Sequence, residues 1–209
     1  MIRVQEQPAP IDFAQKVLNP GKEFLKRIPH PAHGEWKAFW QEILPDLYTA
    51  YNGVCAYSAH WIPRSTGTAS VDHFIPKREA PELAYEWSNY RLASLLMNSR
   101  KRDFSDVADP FRIQPNWFVL EFPSLHVSPN RNLSTAQAEA VKATINRLKL
   151  NEEYTLVADR LVWVLDFRDG IPLDALKRRA PFIAYELERQ GLADRNAIAS
   201  VMRNRAPTA

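Results

Sequence analysis

The chain of 209 residues is poor in cysteine, in net charge and in long apolar runs. Its single cysteine excludes a disulfide within the chain, and no stretch reaches the roughly eighteen consecutive apolar residues of a membrane-spanning helix. The formal charge is only +3, which permits contact with nucleic acid but does not indicate it. Residues 1–8 contain no apolar segment of the kind that a secretory signal needs, so we expect a cytoplasmic protein.

The rest of the composition is typical of a folded globular protein. Hydrophobic residues make up 45% of the chain and charged residues 24%, which argues against disorder along its whole length. A chain of this size can bury one good core, so we expect a single domain with elaborations. The elements predicted after residue 105 are a strand pair over residues 117–127, a helix after the capping box of Ser134 and Gln137, and helices over residues 152–167 and 193–205. The fold class is therefore α+β, mainly helical by count.

The N-terminal part of the chain is predicted to form helices between proline-rich breaks. A short helix over residues 11–18 is expected to end before the following Asn-Pro-Gly. Apolar side chains over residues 36–44 recur at helical spacing, which predicts a second helix with Trp40 on its buried face. Trp87 and Tyr90 are the aromatic residues that we expect to line a groove instead.

One stretch in the middle of the chain combines three polar side chains that indicate a chemistry. Residues 68–75 are rich in β-forming residues and stop at Pro76, which lacks the amide needed to continue a sheet. We therefore predict a short strand that carries Asp72 and His73 near its end. With the carboxamide of Asn98 a loop and a helix away, this carboxylate and imidazole can hold a divalent metal ion and activate a water molecule, which indicates a nuclease.

The stretch over residues 89–101 is predicted to be helical. Its tail has good helix formers and no Gly or Pro. Leu92, Leu95 and Leu96 recur at helical spacing and are expected to form the buried stripe of that helix. Asn98 is off the stripe, so we expect it on the opposite, polar face.

Residues 55–103 resemble the HNH, or ββα-metal, endonucleases in their order of strand, Asp-His pair, middle Asn and helix-borne Asn. The resemblance implies a ββα-metal unit embedded in a mainly helical single domain. It also implies a catalytic set in which His73, Asn89 and Asn98 act together. The individual roles are a metal-binding acid at Asp72, a general base at His73, a loop-bracing amide at Asn89, a last metal ligand at Asn98, and phosphate-binding cations at Arg100 and Lys101.

The function that this resemblance implies is hydrolysis of DNA phosphodiester bonds with Mg²⁺ or Mn²⁺. Many relatives carry two Cys-x-x-Cys pairs around this core, whereas the matching positions here hold Cys55 as their only cysteine, so structural zinc is not expected. The domains implied are an N-terminal arm (1–33), a helical lead-in (34–52), the HNH nuclease unit (53–105) and a mainly helical C-terminal extension packed on the same domain (106–209).

A looser resemblance extends beyond the nuclease unit. Residues 107–111 and 143–151, together with Arg160, resemble the HNH proteins found with retrons and in Septu-type anti-phage systems. That resemblance implies a role in antiviral defence beside an ATPase partner. No module for reading bases is recognisable, so we expect DNA contact without high site specificity.

Two other functions remain open. In the first, the chain is a catalytically inactive DNA-binding or scaffolding subunit that keeps the HNH shape, and the lost zinc ligands are a first sign of decay. In the second, it is a ribonuclease, because no motif here reports on the 2′-hydroxyl. Taken alone, an Asp-His pair is often a turn cap beside a surface imidazole, and Asn98 alone would be a helix-capping amide.

Overall fold

Helices and two small antiparallel sheets make up the regular structure of residues 1–203, which are the residues that the computed structural model describes. The α+β class is therefore confirmed. The chain divides into two units, of which the first contains Met1–Arg3, Tyr57–Trp61 and the chain from Asp106, and the second contains Val4–Ala56 and Ile62–Ser105. Within the described residues, each helix is too short or too polar to cross a membrane.

The second unit begins with helical segments that run further than the sequence predicts. A π-helical turn at Ala14–Leu18 leads directly into helix α1 (Asn19–Arg27). The predicted helix end before Asn-Pro-Gly is therefore wrong. Pro20 lies in the first turn of α1, where its fixed φ is compatible with a helix. Gly21 is buried against the ring of Tyr85.

The helix predicted over residues 36–44 is also wrong. This stretch contains only a 3₁₀ turn at Phe39–Gln41, and helix α2 (Leu44–Ala50) begins after it, with Pro45 in its first turn. The aromatic side chains that suggested helical spacing instead gather around Tyr85, with ring centroids 5.8 Å away for both Phe39 and Trp40. Aromatic packing, rather than a helical face, explains the apolar pattern.

A strand ends at the predicted Asp-His pair. Strand β1 (Ala69–His73) pairs antiparallel with strand β2 (Tyr90–Ser94), and Asp72 lies opposite Arg91 in their register. The predicted strand is confirmed. The predicted helix over residues 89–101 is confirmed only in its second half, because pairing with β1 overrides the helix-forming tendency of the first half.

Helix α3 (Leu95–Lys101) follows β2 without a loop. The face of α3 that packs on the sheet is not the face that the sequence predicts. The hydroxyl of Ser94 caps it by accepting a hydrogen bond from the Met97 amide at 3.3 Å. Leu95 and Leu96 are 54% and 42% exposed, so the predicted buried stripe is wrong. Met97 and Lys101, one turn apart, are the buried residues of α3, and Asn98 beside them is half-buried.

The first unit matches its predicted elements closely. Strands β3 (Phe118–Leu120) and β4 (Val127–Pro129) form the expected antiparallel pair. The capping box is also present: Ser134 accepts from the amide of Gln137, whose side chain accepts from the amide of Ser134. The helices are α4 (Thr135–Leu148), α5 (Ala158–Asp169), α6 (Leu173–Arg179), α7 (Pro181–Arg189) and α8 (Arg195–Met202). Of the last predicted helix, residues 204 and 205 are outside the described residues.

Candidate active site

The second unit contains a cleft of about 260 Å³ at the end of β1. It brings together Asp72, His73 and Asn98, the three residues that the sequence assigns to metal binding and catalysis. The cleft is lined by Trp40, Val71, Asp72, His73, Pro76, Lys77, Asn98, Arg102 and Asp103. Three further residues predicted for the site, Asn89, Arg100 and Lys101, are not among those that line it.

Asp72 is the most deeply placed acid of the cleft. It is 2% exposed, and the ammonium of Lys101 lies 3.4 Å from its Oδ1. Because Lys101 is completely buried, this ion pair is shielded from water. A carboxylate fixed in this way can bind a cation from the cleft, although Lys101 already supplies one positive charge.

A hydrogen bond to a backbone carbonyl holds His73 in one tautomer. Its Nε2 lies 2.9 Å from the carbonyl oxygen of Ala84, which can only accept, so we infer that Nε2 carries the proton and Nδ1 a lone pair. Burial, together with the charges of Lys77 and Lys101, lowers the pKa of His73 to about 3. At neutral pH the imidazole is therefore uncharged, which is the form that can take a proton from water.

Two aromatic rings fix the plane of the His73 imidazole. Trp40 meets it edge to face with ring centroids 4.6 Å apart, and Tyr90 does so at 5.2 Å. His73 is 9% exposed, so it is largely covered while still lining the cleft. Trp40, predicted to be a core residue, thus lines the cleft, whereas Trp87 and Tyr90, the predicted groove residues, are buried.

The Asn98 carboxamide is anchored to β1 through its nitrogen. Nδ2 donates to the hydroxyl of Ser70 at 3.1 Å and to the carbonyl of Val71 at 3.4 Å. These two bonds occupy both N–H groups and leave the carboxamide oxygen as the group that can bind a metal ion. Ser70 is therefore a positioning residue that the sequence pattern did not reveal, because a serine within a strand has no distinctive signal.

Asn89 braces the loop between β1 and β2. Its Oδ1 accepts from the Ile75 amide at 2.8 Å, and its Nδ2 donates to the carbonyls of Ile75 and Leu83 at 3.0 and 3.1 Å. The side chain thus satisfies three backbone groups at once. Its position suits the loop-bracing role implied by the resemblance and gives it no contact with the cleft.

The two cations predicted to face phosphate are not the ones that line the cleft. Lys101 has no exposed surface, and its Nζ donates to the backbone carbonyl of His73 at 3.0 Å. Arg100 is half-buried on α3. The cleft is instead lined by Lys77, which follows Pro76, and by Arg102, which ends α3 with a left-handed φ of 50°. The sequence signal that could have identified these two cations is their position, with Lys77 just after the strand and Arg102 just after the helix.

The donor atoms of the cleft fit a hard divalent ion. Asp72 and Asn98 supply a carboxylate and an amide oxygen, and the carboxylate of Asp103 lines the same cleft. Mg²⁺ and Mn²⁺ prefer oxygen ligands and complete their coordination with water. The ammonium of Lys101 is the feature that opposes a cation here. Among residues 1–203, no group of three or more His, Cys, Asp and Glu side chains has the geometry of a metal site.

No family model matches the chain, and no curated protein matches its sequence. The resemblance to the HNH endonucleases therefore stays a prediction. The cleft and its geometry come from the structure, and they define a neutral imidazole, a buried carboxylate, an anchored carboxamide and two cations around one space.

Proposed function

We propose that this cleft hydrolyses phosphodiester bonds of DNA with the help of a divalent metal ion, as in the HNH endonucleases. The observation that supports the proposal most strongly is the convergence of Asp72, His73 and Asn98 on one cleft. Their chemistry is complementary, because two supply oxygen ligands and the third is a base that is neutral at pH 7.

The protein's own part in the reaction is to hold the ion and to move one proton. Asp72 and Asn98 hold the ion, which when bound stabilises negative charge on the phosphate and on the leaving oxygen. Nδ1 of His73 takes a proton from a water molecule as its oxygen forms a bond to phosphorus. The bond from phosphorus to the 3′ oxygen breaks, and that oxygen gains a proton from solvent. The products are a 5′ phosphate and a 3′ hydroxyl.

The biological setting is part of the same proposal. Mg²⁺ as the ion agrees with the oxygen donors of the cleft, and we propose DNA as the substrate and the cytoplasm as the location because the resemblance and the sequence imply them. A role in antiviral defence beside an ATPase partner is the setting implied by the looser resemblance of residues 107–111 and 143–151 and of Arg160. Cleavage assays are therefore best run both with the chain alone and with any ATPase that co-purifies with it.

One observation favours the rival function of a non-catalytic DNA-binding subunit. The Asp72 carboxylate is already paired with the buried ammonium of Lys101. If that pair satisfies the carboxylate completely, the cleft keeps its shape but binds no ion. The rival function predicts that the protein binds DNA but does not cleave it with any metal ion, whereas the proposed enzyme must bind DNA and cleave it.

A plasmid-nicking assay tests the proposal. Wild-type protein with Mg²⁺ or Mn²⁺ is expected to convert supercoiled DNA to open circles, and EDTA to stop it. His73→Ala is expected to reduce the rate by at least about 10²-fold, because it removes the base. His33→Ala is the matched control, since His33 is exposed and outside the cleft. Nicking that survives in His73→Ala would overturn the proposal, and cleavage of RNA but not DNA would reassign its substrate.

A further inference from the structure

The cleft contains a lysine whose environment differs from that of an ordinary surface lysine. Nζ of Lys77 lies 4.1 Å from the ring centroid of Trp40 and 5.4 Å from that of Trp36. The side chain is half-buried and lines the cleft together with Asp72 and His73. Two indole faces therefore hold this ammonium beside the candidate catalytic groups.

The ammonium retains unused hydrogen-bonding capacity. Within residues 1–203, no carboxylate lies within the 4.0 Å that defines an ion pair with Lys77, and its N–H groups donate to no protein acceptor. Burial lowers the pKa of Lys77, while the charge of Asp103 across the cleft acts in the opposite direction. An indole face attracts the charge of an ammonium but accepts hydrogen bonds poorly, so the three donors are available to an anion that enters the cleft.

We propose that Lys77 donates to a non-bridging oxygen of the substrate phosphate in the cleft, with Trp40 as the platform that sets its position relative to His73. The inference rests on the proposed function and names the residue that takes the role predicted for Arg100 and Lys101. The Trp40 ring is nearly perpendicular to the imidazole and presents its face to the ammonium, so one indole contacts both base and cation.

The other cations near the cleft are less suited to this role. Lys101 has no exposed surface and its ammonium is used by His73 and Asp72. Arg102 lines the cleft but is exposed, and its Nε donates to the carbonyl of Ser99 at 3.1 Å. Arg102 can add a longer-range contact, whereas Lys77 is the cation that shares the Trp40 ring with His73.

The first test measures DNA binding in EDTA, where no cleavage occurs, as a function of salt. Lys77→Met keeps the apolar stem on the indoles and removes the charge, whereas Lys77→Arg keeps the charge. Lys26→Met is the matched control, because it removes the same charge from an exposed lysine of the same unit. We expect Lys77→Met to reduce the slope of log K against log salt by about 0.9, the value for one phosphate contact. Lys77→Arg and Lys26→Met are expected to keep the wild-type slope.

A second measurement uses the wild-type chain and so does not depend on the folding of a variant. Acetylation of lysines is followed by mass spectrometry with and without a duplex oligonucleotide, in EDTA. DNA is expected to slow acetylation of Lys77 by at least about threefold while leaving Lys26 unchanged. Equal protection of both lysines, or an unchanged salt slope in Lys77→Met, would overturn the assignment.

The two proposals fail in different ways. If the wild-type chain binds DNA but never nicks it, the enzymatic proposal is wrong, and the salt slope and the acetylation pattern still decide the role of Lys77. If nicking depends on His73 but Lys77→Met nicks and binds as wild type does, the enzymatic proposal stands and Lys77 has no contact with phosphate.

Discussion

Burial and two nearby lysines keep His73 in its neutral form. Its pKa of about 3 results first from the loss of water around the ring and then from the nearby charges of Lys77 and Lys101. The hydrogen bond to the carbonyl of Ala84 acts in the opposite direction but is weaker. A ring that stays neutral over the physiological range keeps a lone pair that can accept a proton.

The same burial predicts that acid destabilises the protein. The pKa of His73 and that of His60 are both lowered by burial, so between about pH 6.5 and the folded-state pKa the unfolded chain binds more protons than the folded chain. The stability that these two histidines contribute is fully present above pH 6.5 and falls as the pH drops, by up to about 1.4 kcal/mol per pH unit for each histidine. Urea unfolding of wild type and His73→Gln between pH 7 and 5 measures this.

The His73→Gln variant is expected to lose less stability over that interval, because residue 73 then no longer gains a proton on unfolding. Glutamine can still donate to the carbonyl of Ala84, so the comparison keeps that hydrogen bond. Carboxylates titrate mostly below this interval and contribute little to the difference. Equal pH slopes in the two proteins would show that His73 is not held neutral by the fold.

Single residues of the site were predictable where the chemistry depends on residue type and order. Asp72, His73 and Asn98 could be assigned together because strand, loop and helix follow one another without a break. The burial of Lys101 could not be predicted. It depends on which face of α3 packs on the sheet, and that depends on a helix start at Leu95 that local sequence does not reveal.

At the scale of the element, α1 shows why a proline and a glycine need not end a helix. Pro20 occupies the first turn, and Gly21 is placed where an ideal Cβ atom would lie only 2.2 Å from Cγ of Tyr85. Tyr85 is itself buried, and its hydroxyl donates to the carbonyl of Lys37 at 2.9 Å. The glycine is therefore needed for close packing and not for a turn.

Gly21→Ala is expected to destabilise the protein by up to about 2 kcal/mol. The clash with Tyr85 is an overpacking cost, and it outweighs the gain of about 1 kcal/mol that alanine brings to a helix interior. Gly34→Ala is the control, because nothing lies within 4 Å of a Cβ built there. Denaturant unfolding of both variants checks the difference. A Gly21→Ala protein as stable as wild type would mean that α1 does not pack on Tyr85 in this way.

The elements were predictable from local patterns only where those patterns had no competitor. A proline directly after Phe-Ile predicted the end of β1, and a capping box predicted the start of α4. Strand β2 was predicted as helix, because residues 90–94 have no strong β signal and form a strand only through pairing with β1. The apolar spacing over residues 36–44 also failed to predict the structure, because aromatic packing explains that spacing without a helix.

At the scale of the whole molecule, the predicted order of elements gave the α+β class but could not predict the division of the chain. Met1–Arg3 and Tyr57–Trp61 belong to the unit formed by the C-terminal half, although they are distant from it in sequence. Contacts of this kind depend on the complete fold and leave no local pattern. The candidate cleft is built entirely from the second unit, which is the unit that contains the resemblance to HNH endonucleases.

The measurement that tests the central claim most directly is a titration with Mn²⁺ followed by electron paramagnetic resonance. We expect the wild-type chain to bind one ion at the cleft, and Asn98→Ala to weaken that binding by at least about tenfold because it removes one oxygen ligand. Asn98 is half-buried with only two hydrogen bonds, so the variant is expected to fold, which circular dichroism checks. A wild-type chain that binds no ion at millimolar Mn²⁺, or an Asn98→Ala protein that binds equally well, would contradict a metal site built by Asp72 and Asn98.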